Sequence, residues 1–449
     1  MHQADLKHTD KTLQTKLEEI FQLRRTRSKI NWDRDQYFDL LSAFGNPHLD
    51  LPPVIHVAGT NGKGSIVAML RTILSAAGLK VHSYTSPHLI HVNERIHLAG
   101  KPIEDTYLET LIDQALSYNQ DAPLSFFEIT TALAFRAFSD TPADILLLEV
   151  GMGGTLDCTN VIEDPLCTII NRISMDHTDF LGNDIETIAA QKSGIMKNNT
   201  PCIVGYQGST AQSEHVIKTI YNAAKNKNAP LYLCNKDWHI TPHKTHFDFT
   251  YNERTQTFPL PALNGMHQVH NAGVALATLE TIKHKFTIPD TAIEYGLQSA
   301  QWPGRLQKIE PQHFNLLPSS EIWLDCGHND SAADALIHQI QKWQNTDKKN
   351  THLIIGMLQT KNPTRFLSPL LPHIKSLNIV PISSDPNSFT KKSILEALHE
   401  NTKHIPACHE YGTIFNALSD LTEQHPESRI IVAGSVYLAG EILQRVPSA

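Results

Sequence analysis

At 449 residues the chain is long enough for two or three domains, and its 41% hydrophobic and 19% charged residues are those of an ordinary globular protein. A net charge of −8 leaves no basic footprint for nucleic acid, and the short Arg24-Arg25-Thr26-Arg27 cluster reads as a solvated helix face. No apolar run approaches a membrane span, the polar start of the chain has no signal-peptide pattern, and six scattered cysteines without C-x-x-C spacing fit a reducing cytosol.

Strand-like and helix-like segments alternate along the chain. Residues 54–58 read as a strand, 65–77 as a helix and 79–84 as the next strand. Helices are expected at 105–117 and 127–138, and the apolar run 144–150 reads as a strand buried on both faces. Then come a strand at 167–170, a helix at 185–197, a strand at 202–204 and a helix at 215–225. The more polar 237–257 alternates like a hairpin, and helices follow at 269–283 and 290–299.

Gln301-Trp302-Pro303-Gly304-Arg305 interrupts the pattern. Beyond it, strands are expected at 322–325, 352–355, 377–382 and 430–433, and helices at 331–343, 392–400, 414–422 and 436–445. The expected fold is α/β: a P-loop-type ATPase domain with a mostly parallel sheet over 1–301, and a smaller Rossmann-like domain over 302–449. Two such domains joined near Trp302 would form a cleft suited to ligands.

The segment Gly59-Thr60-Asn61-Gly62-Lys63-Gly64-Ser65 joins a strand to a helix. That geometry grips nucleotide phosphates, because loop N–H groups, a lysine and the positive helix end all face one point. The spacing departs from G-x-x-x-x-G-K-[ST]: Gly59 is three residues before Gly62, and Gly64 separates Lys63 from Ser65. A bare glycine-rich turn is the alternative.

Other polar residues sit at expected strand ends, where open α/β sheets bind ligands. Ser86-Pro87-His88, Glu149 before Gly151-Met152-Gly153-Gly154, and Asp176-His177-Thr178-Asp179 are in such places. Ser65, Ser86 and Glu149 offer the oxygens that Mg²⁺ prefers, although Glu149 also reads as a structural strand-end residue. From spacing alone His177 reads first as a cap or core histidine and second as a metal ligand. Lys192, within an expected helix, reads as an ordinary solvated lysine. Asp325 could bind ribose hydroxyls or cap the next helix. Arg305 could reach a phosphate or form an interdomain salt bridge.

Together these segments resemble the folylpolyglutamate synthase and dihydrofolate synthase family, part of the ATP-dependent, amide-forming Mur ligases. The resemblance runs in order through the 59–65 loop, Thr85-Ser86-Pro87-His88-Leu89, Asn93-Glu94-Arg95-Ile96 and Phe127-Glu128. It continues through 149–154, Asp157-Cys158-Thr159-Asn160, Asp176-His177-Thr178 with Leu181-Gly182, and Gln191-Lys192-Ser193-Gly194-Ile195. His267-Gln268 with Asn271-Ala272, Pro303-Gly304-Arg305, Asp325-Cys326-Gly327-His328-Asn329 and Gly434-Ser435 complete it.

The resemblance implies that Thr60, Asn61, Gly62, Lys63, Gly64 and Ser65 hold ATP phosphates. It implies that Ser86, Glu149 and His177 bind Mg²⁺, and that Lys192 is a carbamate helping to hold a second Mg²⁺; K⁺ is a further cofactor it admits. Asn271, Arg305 and Asp325 match ATP-contacting positions, with His328 beside them. Ser125, Asp157 and Cys158 match the pterin-side pocket, with Ile30 and Asn31 as further lining. The departures are Gln191 where the family often has Glu, Cys326 and Asp330 in the ribose-side motif, and a loose 356–361 segment.

The implied reaction joins L-glutamate to dihydropteroate, to a folate, or to both. ATP phosphorylates the carboxylate, the glutamate amine attacks the acyl phosphate, and ADP and phosphate leave. Lys63, His177, Lys192 and Arg305 are the implied catalytic residues, in a cytoplasmic monomer that acts on small molecules and binds neither membrane nor nucleic acid. A Mur-type ligase for a nucleotide-linked cell-wall precursor is one alternative. A nucleotide-binding protein without ligase chemistry is another.

Overall fold

The computed structural model describes residues 6–23, 34–119, 123–316, 319–399, 402 and 405–447. Arg24–Arg27, Ile30 and Asn31 lie outside the described residues. The chain forms two compact units, one of Leu6–Ala262 with Gln268–Gln301, the other of Leu263–His267 with Trp302–Ala449.

The first unit is built on an eight-stranded sheet: β1 Val54–Ala58, β2 Val81–Tyr84, β3 Ile96–Leu98, β4 Lys101–Pro102, β5 Ile145–Glu149, β6 Cys167–Ile170, β7 Cys202–Val204 and β8 Leu231–Leu233. Its order is β4-β3-β2-β5-β1-β6-β7-β8. The pairs from β2 through β8 are parallel, whereas β3 and β4 add antiparallel at one edge. Every residue of β1 and β5 is buried, as helices on both faces of a parallel sheet require. The helix Lys63–Ala76 buries Ile66, Val67, Met69, Leu70, Ile73 and Leu74. The register pairs Val57 with Glu149 and Ala58 with Ile170, so the carboxyl ends of β1, β5 and β6 lie side by side.

A smaller antiparallel sheet, β9 Trp238–Pro242, β10 His246–Tyr251 and β11 Arg254–Pro259, turns the expected hairpin into three strands. The expected helix at 185–197 ends at Ser193, because Gly194 caps it by donating its N–H to Gln191 O and Lys192 O. Helices at Lys11–Gln22 and Asp35–Ala43 carry residues of the apolar core shared with Asp105–Asn119 and Phe126–Asp140.

The second unit holds β12 Gln307–Ile309, β13 Glu321–Leu324, β14 Thr351–Ile355, β15 Ser376–Ile379, β16 Ala407–Glu410 and β17 Arg429–Ala433. The order is β12-β13-β17-β14-β15-β16, parallel except for β12. Among the described residues no helix is long and apolar enough to cross a membrane.

Candidate nucleotide and metal site

The 59–65 loop leaves β1 and turns into a helix at Gly62, whose φ of 84° is left-handed. A Cβ on Gly62 would lie 2.3 Å from Asn171 Nδ2 and 2.6 Å from Asn271 Oδ1, so the position needs glycine for both reasons. Gly62 supplies no side-chain cap. The N–H groups of Lys63, Gly64 and Ser65 therefore head the helix as donors for an anion. Thr60 and Asn61 are differently placed. Their N–H groups donate to Arg172 O at 2.9 and 3.4 Å, and Thr60 Oγ1 donates to Ser174 O at 3.0 Å. These two residues fasten the loop to the segment after β6.

Asn171, which no motif marks, fastens the same loop from its side chain. Nδ2 donates to Asn61 O and to Asn271 Oδ1, both at 2.9 Å, and Asn271 Nδ2 donates to Gln268 Oε1 at 2.9 Å. Asn271 thus lies against the phosphate loop through a buried amide chain. The only signal for Asn171 in the sequence is a polar residue directly after an apolar strand.

Lys63 and Lys192 converge on the loop's first residue, and Glu149 lies beside Lys63. Lys63 Nζ donates to Gly59 O at 3.1 Å and lies 3.9 Å from Glu149 Oε1. Lys192 Nζ donates to the same Gly59 O at 3.1 Å. Glu149 is 4% exposed, and its Oε2 accepts from Ser86 N at 3.3 Å. Lys192 is 5% exposed, so it is not the solvated lysine its helix suggested. Its side chain turns inward to Gly59 O, and the helix backbone packs close on Gly154, where a Cβ would lie 2.6 Å from Gln191 O. Burial first, and then the Lys63 charge, lower the Lys192 amine to about 7. Ser65 Oγ is buried without a hydrogen-bond partner. His177 is exposed in a left-handed conformation (φ 50°), at the N-cap position of Thr178–Leu181 but with no side-chain cap bond.

The pterin-side candidates are held by polar contacts of their own. Buried Asp157 accepts from Met152 N at 2.8 Å and Thr159 N at 3.0 Å, and burial raises its carboxyl. Thr159 Oγ1 bonds Asp157 Oδ1 at 2.5 Å and His56 Nε2 at 2.8 Å. Burial lowers His56 to about 3, which keeps it neutral. Ser125 caps the helix Phe126–Asp140: its Oγ accepts from Glu128 N, and Glu128 Oε2 accepts from Ser125 N. Tyr37 OH donates to Cys158 O at 3.2 Å, and burial pushes the Cys158 thiol well up.

In the second unit, Asp325 follows β13 and clamps backbone. Its Oδ2 accepts from Leu306 N at 2.9 Å and its Oδ1 from Gly327 N at 2.7 Å. The helix cap is Asn329 instead, which accepts from Ala332 N at 3.0 Å. The Leu306 contact holds the chain next to Arg305 in an unusual backbone, with Leu306 at φ 44°. His267, at the end of the other segment of this unit, feels both side chains: burial lowers its imidazole, Asp325 opposes this, and Arg305 adds to it. His328 Nδ1 lies 3.1 Å from Cys326 O.

A Mur ligase middle-domain model matches residues 57–279, and a dihydrofolate synthetase C-terminal-domain model matches residues 317–445. A probable dihydrofolate synthetase of Schizosaccharomyces pombe is 31% identical over 417 residues, covering 90% of this chain and 95% of the relative. Escherichia coli FolC in complex with DHPP and ADP aligns with a TM-score of 0.83 at 28% identity, covering 96% of this chain and 97% of that one. A bifunctional folylpolyglutamate synthase/dihydrofolate synthase with Mn, AMPPNP and L-glutamate bound aligns with a TM-score of 0.79 at 27% identity, covering 93% and 94%. The chain belongs to the dihydrofolate synthase/folylpolyglutamate synthase family of Mur-type ligases.

Proposed function

We infer that this chain is an ATP-dependent ligase that joins the α-amine of L-glutamate to a pterin-linked carboxylate, releasing ADP and phosphate. The observation that carries the reading is the convergence of Lys63, Glu149 and Lys192 beside a helix N-terminus open to phosphate. The match to a dihydrofolate synthetase domain at residues 317–445 favours this over a cell-wall precursor ligase. We assign dihydropteroate, the glutamate tail of a tetrahydrofolate, or both as the acceptor.

A carboxylate does not acylate an amine at neutral pH, because oxide is a poor leaving group. The carboxylate oxygen therefore attacks the γ-phosphorus of ATP, and the bond to ADP breaks. The glutamate nitrogen then attacks the acyl carbon, and the C–O bond to phosphate breaks. Lys63 would exchange its contacts with Gly59 O and Thr60 O for the phosphates and offset the charge that develops there. The free hydroxyl of Ser65 and the carboxylate of Glu149, with Ser86, make an oxygen donor set that fits Mg²⁺. His177 and a carbamate on Lys192 would extend that set. Mg²⁺ bound there would supply Lewis-acid polarisation of the phosphates. A buried lysine titrating near 7 keeps a neutral amine, the form that adds CO₂ to give a carbamate and a proton.

Arg305, Asp325 and His328 are proposed to contact the nucleotide, and Ser125, Asp157 and Cys158 the pterin. Ser125 Oγ already accepts once from the backbone, so its O–H and one lone pair remain to meet a ligand. The six free thiols support a reducing cytosol, and a monomer is the proposed state.

The test is ADP release with L-glutamate and dihydropteroate or tetrahydrofolate. Lys63→Ala and Glu149→Ala should each abolish it while far-UV circular dichroism stays unchanged. Near-normal turnover in both variants would sink the site assignment.

A further inference from the structure

The outward face of the three-stranded sheet carries ligand-type side chains that the ligase reading does not use. The turn from β9 to β10 closes with His243 N donating to His246 O at 2.9 Å. His246 and Asp248 are two residues apart on β10, so strand alternation puts both on one face, while Phe247 and Phe249 are buried on the other. His243 Nε2 is 2.9 Å from Asp248 Oδ2, and the His243 and His246 rings stack with centroids 4.5 Å apart. One ligand atom from each of the three side chains lies within 4.8 Å of the others. The second carboxylate oxygen of Asp248 accepts from Thr257 Oγ1, on its register partner in β11, at 2.6 Å.

We propose that His243, His246 and Asp248 form a surface site for a divalent transition-metal ion of the Zn²⁺ class, separate from the nucleotide-site metal. Two imidazoles and one carboxylate suit Zn²⁺, Cu²⁺ or Ni²⁺, whereas Mg²⁺ seeks an all-oxygen set. Three protein ligands leave a fourth position for water. The Thr257 hydroxyl orients the carboxylate from outside, as partners of metal ligands commonly do. Binding replaces the His243–Asp248 hydrogen bond with two bonds to the ion, and it ties the end of β9 to β10 through side chains as well as backbone.

The test is a Zn²⁺ titration of the full chain, saturated with Mg²⁺ and ADP, in competition with a chromogenic chelator. The wild type should bind one equivalent that the His243→Ala/His246→Ala double variant lacks. Each single variant, and Asp248→Asn, should weaken that equivalent about tenfold or more. Zn²⁺ should also raise the melting temperature of the wild type and not of the double variant. Equal ADP affinity in all variants shows that they are folded. No Zn²⁺ equivalent in the wild type, or the same stoichiometry and affinity in the double variant, overturns the proposal.

Discussion

Asn171→Ala should loosen the phosphate loop although residue 171 lies outside it. The substitution removes two hydrogen bonds of 2.9 Å, to Asn61 O and to Asn271 Oδ1, from a side chain that is 4% exposed. A buried partner left without its bond costs about 1–3 kcal/mol, so the pair costs about 2–6 kcal/mol. Part of that cost falls on nucleotide binding, because Asn61 O no longer holds the loop in its open-donor shape. Loss of about 1.4 kcal/mol there is a tenfold weaker Kd for Mg-ADP, read by calorimetry. Asn271→Ala removes the partner of one of the two bonds, so the double variant should fall short of the sum by about 1 kcal/mol in urea unfolding. Additive losses within about 0.5 kcal/mol, or unchanged ADP affinity in Asn171→Ala, would refute the amide chain as the loop's anchor.

Three further outcomes follow from buried groups. Burial lowers His56 to about 3 from the ordinary value of 6.5, so the unfolded chain takes up a proton below pH 6.5 that the folded one refuses. Stability should therefore fall by about 1.4 kcal/mol per pH unit from 6.5 down towards 3, and His56→Gln should flatten that slope in acid-titrated urea melts. Arg429 is buried between Glu321 and Asp347, each within 2.9 Å, with its guanidinium 4.3 Å from the Trp343 ring centroid. Arg429→Met should cost about 3 kcal/mol in chemical unfolding, the low end for a broken buried pair because both carboxylates keep some water. Lys192→Ala should lose ligase activity and regain part of it with added short carboxylates. In the wild type, ¹³CO₂ should give a carbamate carbon signal that fades as the pH falls through about 7. Full activity in the alanine variant would end the carbamate assignment.

The parallel core was legible because residues 54–58 and 144–150 are apolar runs of strand length, too short for a typical helix and suited to strands buried on both faces. Edge strands were not: β12 and β16 are short, and β16 is largely exposed, so periodicity has little to register. Lys192 looked solvated because the group its buried amine meets, Gly59 O, lies far away in the chain. Asp325 was open between ribose ligand and helix cap; the structure gives the cap to Asn329 and sets Asp325 against the Leu306 and Gly327 backbone, which no spacing foretells. Asn171 escaped notice because a single asparagine after a strand carries no spacing to recognise. The Gly59–Ser65 loop was readable despite its irregular spacing because strand and helix frame it.

If ATP activates the pterin-linked carboxylate as an acyl phosphate before glutamate attacks, a carboxylate oxygen leaves with the phosphate. Dihydropteroate labelled with ¹⁸O in its carboxylate tests this in one measurement, by mass analysis of the inorganic phosphate released with ATP and L-glutamate. Each phosphate should carry one ¹⁸O, taken over when the acyl C–O bond breaks. Amide product accompanied by unlabelled phosphate would contradict it.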